Sequence, residues 1–163
     1  MIDKPEIVQI AAQHTAFIHV TIPRSEIQHV MGPGIQELTA ALKAQGVSPT
    51  GPWFTHHIRM DPGVFDFEIS MPVAAPIVAA GRVQPGLRPA AKVARTIYHG
   101  GYEGLSDGWS EMMAWIKAEG HAHGDDLREV YLTGPESGPD STAYRTELSR
   151  PLVTRASPAA GTP

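Results

Sequence analysis

The stretch TIYHGGYEGLSDGWSEMMAWIKAEGHAHGDDLREVYL, from Thr96 to Leu132, decides the fold. Thr96 to Tyr98 end a strand-like segment that begins at Lys92, after which Leu105, Trp109, Met112, Met113 and Ile116 recur at helical spacing. Ser106 or Asp107 is the expected N-cap and Gly120 the expected stop. Leu127 to Leu132 then reads as a strand, with Leu127, Glu129 and Tyr131 on one face and Arg128, Val130 and Leu132 on the other. One carboxylate, Glu129, is therefore set among a local concentration of aromatic and methionine side chains. That is the composition of a small-molecule pocket.

Working outward, the N-terminal half carries a plainer version of the same pattern. Apolar residues at the even positions from Val8 to Ile22 predict a half-buried strand, bent or broken near Gln13-His14 and ended by Pro23. Met31, Ile35, Leu38, Ala41 and Leu42 predict a helix from about Gly34 to Gln45, with Pro33 at its start and Gly46 at its stop. Trp53 to Met60 and Val64 to Pro72 form a hairpin around Asp61-Pro62-Gly63. The proline-rich run from Pro72 to Pro89 reads as a connector with one short strand near Ile77 to Val83, and Thr142 to Leu148 as the last strand.

Aligning Gly46 with Gly120 places Leu42 on Ile116, Leu38 on Met112, Ile35 on Trp109 and Met31 on Leu105. The ends agree too: Phe67-Glu68-Ile69-Ser70-Met71-Pro72-Val73 matches Thr146-Glu147-Leu148-Ser149-Arg150-Pro151-Leu152. The expected fold class is α+β, made of duplicated strand–helix–hairpin (βαββ) units related by a pseudo-twofold axis. Two main helices pack on an antiparallel sheet, with a ligand cleft between the halves. Repeat one covers about residues 6–73 and repeat two about 82–152, a single domain of 1–152, and 153–163 reads as a disordered tail.

Composition narrows the function classes. A chain of 163 residues can bury a core without staples, and with no cysteine it holds no disulfide, thiolate nucleophile or zinc–sulfur site. A net charge of −4 with scattered Lys and Arg argues against direct nucleic-acid binding. No segment has the length of a membrane span and the N-terminus lacks a signal-peptide core, so a cytoplasmic location is expected.

The second half, with Tyr98-His99-Gly100-Gly101-Tyr102-Glu103, Trp115-Ile116-Lys117-Ala118-Glu119-Gly120, Arg128-Glu129-Val130-Tyr131 and the closing Thr146 to Leu152, resembles the GyrI-like family, the effector-binding domain of certain bacterial transcription activators. The first half, with Gly51-Pro52-Trp53-Phe54, Phe65-Asp66-Phe67-Glu68 and Met71-Pro72-Val73, resembles that family's first repeat. The resemblance implies a pocket between two βαββ units for aromatic, often cationic, small molecules, with Glu129 and Tyr131 as the acidic residue and tyrosine of its Glu-x-Tyr strand. The family's glycine-proline-tyrosine turn is Gly100-Gly101-Tyr102 here. The His-rich loop from Gly120 to Gly124, with His121 and His123, is not explained by the resemblance.

Two uses of Glu129 follow. As a carboxylate among the π faces of Tyr102, Trp115 and Tyr131 it attracts an aromatic cation. As a general base, with Tyr131 orienting the water, it would serve a hydrolase of strained-ring, cyclopropanoid electrophiles, an activity known in some GyrI-like proteins. A third reading, a protein-binding inhibitor of DNA gyrase, rests on the family name. The expected ligand contacts are Glu129, Tyr131, Tyr102, Trp115, Met112, Trp53 and Phe54, with Trp109 read as core packing and no cofactor or metal expected. Gly104-Leu105-Ser106-Asp107-Gly108 fits a nucleophile-elbow pattern, but that chemistry needs a large parallel sheet plus later acid and histidine partners, for which too little chain remains, and an N-cap serine between glycines is the expected reading. His56 and His57, adjacent on a strand, point to opposite faces and make no metal pair.

Overall fold

The computed structural model describes residues 1–153; residues 154–163, most of the expected tail, lie outside the described residues. The elements run β1 (Glu6–Ile10), β2 (Gln13–Pro23), α1 (Ile27–Ala44), β3 (Phe54–Asp61), β4 (Val64–Pro72), β5 (Gln84–Arg88), β6 (Ala91–His99), α2 (Leu105–Ala118), β7 (Ala122–His123), β8 (Leu127–Thr133) and β9 (Arg145–Val153). This is an α+β fold. Its sheet has the order β1-β6-β9-β8-β3-β4-β2-β5, with β7 on the edge of β9, and the pairings described are antiparallel.

That order places β6-β9-β8 beside β3-β4-β2, so each side of the β3–β8 seam holds a strand, a helix and two further strands in that chain order, with β7 added after α2 on one side. It also forces the sheet to curl. In a flat sheet β5 and β6 would stand six strand spacings apart, about 29 Å, yet only Pro89 and Ala90 join them, a span of at most about 11 Å. Ala11 and Ala12 make the same short crossing from β1 to β2. The two ends of the sheet must therefore meet, and the result is a curled half-barrel.

Ala16, Ile18 and Val20 of β2 and Phe67, Ile69 and Met71 of β4 face Leu38 and Leu42 of α1, forming the larger core. Ala94 of β6 with Met112 and Ile116 of α2 forms the smaller one. Each helix thus covers the outer strands of its own half, α1 chiefly β2 and β4 and α2 chiefly β6. The helix-side residues of the two central strands are left to something other than core packing.

Several local expectations are corrected. Helix α1 starts at Ile27, not near Gly34, and contains Pro33. Burial of Ile27, Val30 and Met31 against the core extends the apolar stripe upstream and offsets a proline that costs about 3 kcal/mol in a helix interior. Helix α2 begins at Leu105 with Gly104 as N-cap and no side-chain cap, because a 3-10 turn at Tyr102–Gly104 leads straight into it and draws Ser106 and Asp107 inside. The connector holds strand β5 at Gln84–Arg88 and only a single bridge between Ala80 and Val83. The last strand starts at Arg145, since Ser141–Ala143 are taken up by a 3-10 turn capped by Asp140. Gly46, Gly63 and Gly120 have φ of 70°, 76° and 77°, as the stops and the hairpin turn require. No helix among the described residues is long and apolar enough to cross a membrane.

Candidate functional site

Strands β3 and β8 are paired so that Thr55 faces Glu129 and His57 faces Leu127. Period-two alternation then puts Thr55, His57, Glu129 and Tyr131 on one side of the sheet, the side that carries both helices. These polar groups occupy the seam between the two helix-covered halves. Thr55 is 1% exposed, His57 6% and Glu129 9%.

Glu129 accepts two hydrogen bonds from neutral donors. The Tyr131 hydroxyl donates to Oε1 at 2.7 Å and the Trp109 indole N–H, arriving from α2, donates to Oε2 at 2.7 Å. Because Tyr131 gives its one proton to Glu129, the Thr55 hydroxyl must donate to Tyr131, at 2.9 Å. Burial, then the Glu129 charge, pushes the Tyr131 phenol well above its ordinary value, so it remains a donor. Among the described residues the one basic group within 4.0 Å of the carboxylate is His57, its Nε2 at that distance from Oε1, too far for a hydrogen bond. Burial pulls His57 below the usual histidine range and Glu129 restores only part of the loss, so His57 is neutral at pH 7. Its ring stacks on Phe67 at 5.3 Å, and its Nδ1 is buried without a partner.

Aromatic rings gather on Tyr131 beside the carboxylate. Trp53 stacks on Tyr131 with centroids 4.3 Å apart, while Tyr102, 37% exposed, meets Tyr131 edge-on at 5.9 Å and Tyr144 at 5.4 Å. Tyr102 follows Gly100, whose φ of 136° suits glycine alone, and the turn is tied down by the Tyr98 hydroxyl donating to the Gly101 carbonyl at 2.8 Å.

Of the residues singled out from the sequence, the fold gathers Glu129, Tyr131, Tyr102 and Trp53. It separates the other three. Met112 is fully buried with Ala94 and Ile116, because its position on α2 faces the sheet under that helix. Trp115 lies beside His121, with centroids 6.3 Å apart. Phe54, one residue from Thr55, turns to the opposite face of the sheet and lines a different cavity. Trp109 is not mere core packing but a donor to Glu129. His57 and Thr55 were missed as neighbours of Glu129. The opposite-face rule for adjacent strand residues places one of His56 and His57 on that side, but only the β3–β8 register says which. His123 belongs to the short strand β7.

The curled α+β half-barrel, with a buried carboxylate at the seam of its sheet, is a fold of the small-molecule-binding effector-domain class. The chain belongs to the GyrI-like small molecule binding domain family, whose profile matches residues 3–153. Among solved structures it is similar to the EcmrR C-terminal domain, with 22% identity, a TM-score of 0.82, and coverage of 93% of this chain and 98% of that one. EcmrR in its DNA complex is similar at TM-score 0.80 and 22% identity over 91% of this chain, which spans only 57% of that longer protein. SAV2435 bound to tetraphenylphosphonium is similar at TM-score 0.64 and 15% identity, over 94% of this chain and 96% of that one. A hydrolase from Listeria innocua is similar at TM-score 0.67 and 13% identity, with 92% of each chain covered. At these identities the likeness concerns the fold. No curated protein sequence matches significantly.

Proposed function

We propose that the protein binds a lipophilic aromatic cation at Glu129. The observation that carries this reading is a carboxylate 9% exposed whose hydrogen-bond donors, Trp109 and Tyr131, are both neutral, with no Lys or Arg within 4.0 Å among the described residues. A buried carboxylate without a charged partner is costly, and a cationic ligand supplies the missing charge while the rings of Trp53, Tyr102 and Tyr131 supply π faces. The cluster is closed: Trp53 and Tyr102 both lie against Tyr131, so a ligand enters by displacing a ring. The tetraphenylphosphonium held by the similar SAV2435 fold is a cation of this type.

The hydrolase reading is weaker. That reading needs Tyr131 to orient the attacking water, yet the one proton of the Tyr131 hydroxyl is already given to Glu129. The gyrase-inhibitor reading rests on no residue of the site.

Titration with tetraphenylphosphonium, followed by tryptophan quenching, tests the proposal. The wild-type chain should bind it in preference to neutral triphenylphosphine oxide, and Glu129→Gln should weaken binding by about tenfold or more. Equal binding by wild type and Glu129→Gln would remove the charge from the explanation. Turnover of a strained-ring ester by the wild type, lost in Glu129→Gln, would favour the hydrolase.

A further inference from the structure

The opposite face of the same central strands holds a second constellation, in which Arg128, Arg88 and His56 meet Glu68. His56 of β3 and Arg128 of β8 are direct cross-strand partners and turn away from the helices, next to Glu68 of β4. Because the sheet curls, strand β5 and its exit toward β6 close over this face and bring Arg88 with them. The half-open cavity there has a volume of about 160 Å³, with Phe17 and Phe54 among its walls.

Both arginines there are underused. Arg128 is 8% exposed; its nearest carboxylate, Asp126, stands 3.8 Å away, beyond hydrogen-bond range, and its Nε is buried without a partner. Arg88 donates through one terminal nitrogen to the Ala11 carbonyl at 2.8 Å, and its Nε is likewise buried and unpaired. Buried guanidinium donors left unpaired cost free energy and mark a site for a bidentate acceptor. The acidic residues nearby are spoken for: His56 bridges Glu68 at 3.0 Å and Asp126 at 2.8 Å. Burial opposes the charged form of His56, but those two hydrogen bonds outweigh it and raise the group above its ordinary value.

We propose that this cavity is a second binding site, for a small aromatic carboxylate, with Arg128 and Arg88 holding the carboxylate and Phe17 and Phe54 flanking its ring. The volume sets the size, since a cavity of about 150 Å³ admits benzene. Arg128 and Glu129 are consecutive on β8, so the two sites stand back to back across one strand. The proposal is independent of the cation reading at Glu129.

Benzoate is the probe, with calorimetry on the full chain as readout, and benzamide and inorganic phosphate as comparators. Benzoate should bind at millimolar concentration or tighter, benzamide at least about tenfold more weakly, and Arg88→Gln and Arg128→Gln should each cost about tenfold or more. If the buried Arg128→Gln variant does not fold, Arg88→Gln, on the more accessible edge strand, carries the test alone. Benzoate affinity unchanged by Arg88→Gln, or no benzoate binding at about 10 mM, would overturn the site. Phosphate binding as tightly as benzoate would overturn its aromatic part, and benzoate competing with tetraphenylphosphonium in place of binding alongside it would overturn its separateness.

Discussion

Thr55 and Glu129 stand directly opposite each other on neighbouring antiparallel strands, and the Tyr131 hydroxyl closes between them, 2.9 Å from the one and 2.7 Å from the other. Each link leans on the next: the threonine donates to the tyrosine, and the tyrosine to the carboxylate. The chain ties β3 to β8 at the seam of the sheet. It also holds the Glu129 carboxylate in place from one side while Trp109 holds it from the other.

Tyr131→Phe should therefore destabilise more than Thr55→Val. The first leaves both Glu129 Oε1 and the Thr55 hydroxyl buried without a partner, at a cost of about 1–3 kcal/mol, while the second removes only the end donor and costs about 1 kcal/mol. Urea unfolding of the two variants and their double mutant checks the order. Equal losses would mean that the chain is not cooperative.

Trp109→Phe keeps an aromatic ring under α2 but takes away the donor to Glu129 Oε2. It should cost about 1–3 kcal/mol of stability and alter tetraphenylphosphonium affinity. Met112→Leu, a volume-conserving change in a fully buried position, should cost less than about 1.5 kcal/mol and leave that affinity unchanged. The pair of titrations separates a side chain that holds the carboxylate from one that fills the core.

His57 and His56 should tilt stability in opposite directions with pH. Burial holds His57 below its unfolded value, so as pH falls below about 6.5 the unfolded chain takes up a proton the folded chain refuses, and stability is lost on the acid side. His56 is raised by Asp126 and Glu68 against the opposing effect of burial; its contribution is present below about pH 6.5 and is lost as pH rises through the folded value. Urea midpoints at about pH 5.5 and about pH 8 check this. His57→Phe, stacking on Phe67 as the imidazole does, should flatten the acid-side fall, and His56→Gln should flatten the loss toward pH 8.

Gly101→Pro should stabilise the turn that carries Tyr102. Gly101 already has φ −71° and ψ 162°, its N–H makes no hydrogen bond among the described residues, and an added Cβ meets only the end of the flexible Glu103 side chain. A gain of about 0.4–1 kcal/mol is expected from the stiffer unfolded chain, read as a higher urea midpoint.

The sequence by itself determined the element types of both halves, the hairpin at Pro62-Gly63, the glycine stops at Gly46 and Gly120, and the placing of Glu129 on one strand face with Leu127 and Tyr131. Those are local matters: period two or 3.6, turn chemistry, and a carboxylate whose neighbours at i±2 are Leu127 and Tyr131. The upstream limit of α1 and the existence of β5 were not legible. Both depend on partners far along the chain, the larger core for Ile27 and Val30, and β2 for Gln84–Arg88. The rest of the site is tertiary as well. Trp109 and Glu129 are 20 residues apart and Thr55 and Tyr131 are 76 apart, so only packing α2 on the sheet and fixing the β3–β8 register could bring them together. The same register decided that Phe54 and Arg128 would face away from Glu129, because in a strand one residue's step reverses the side on which a side chain stands.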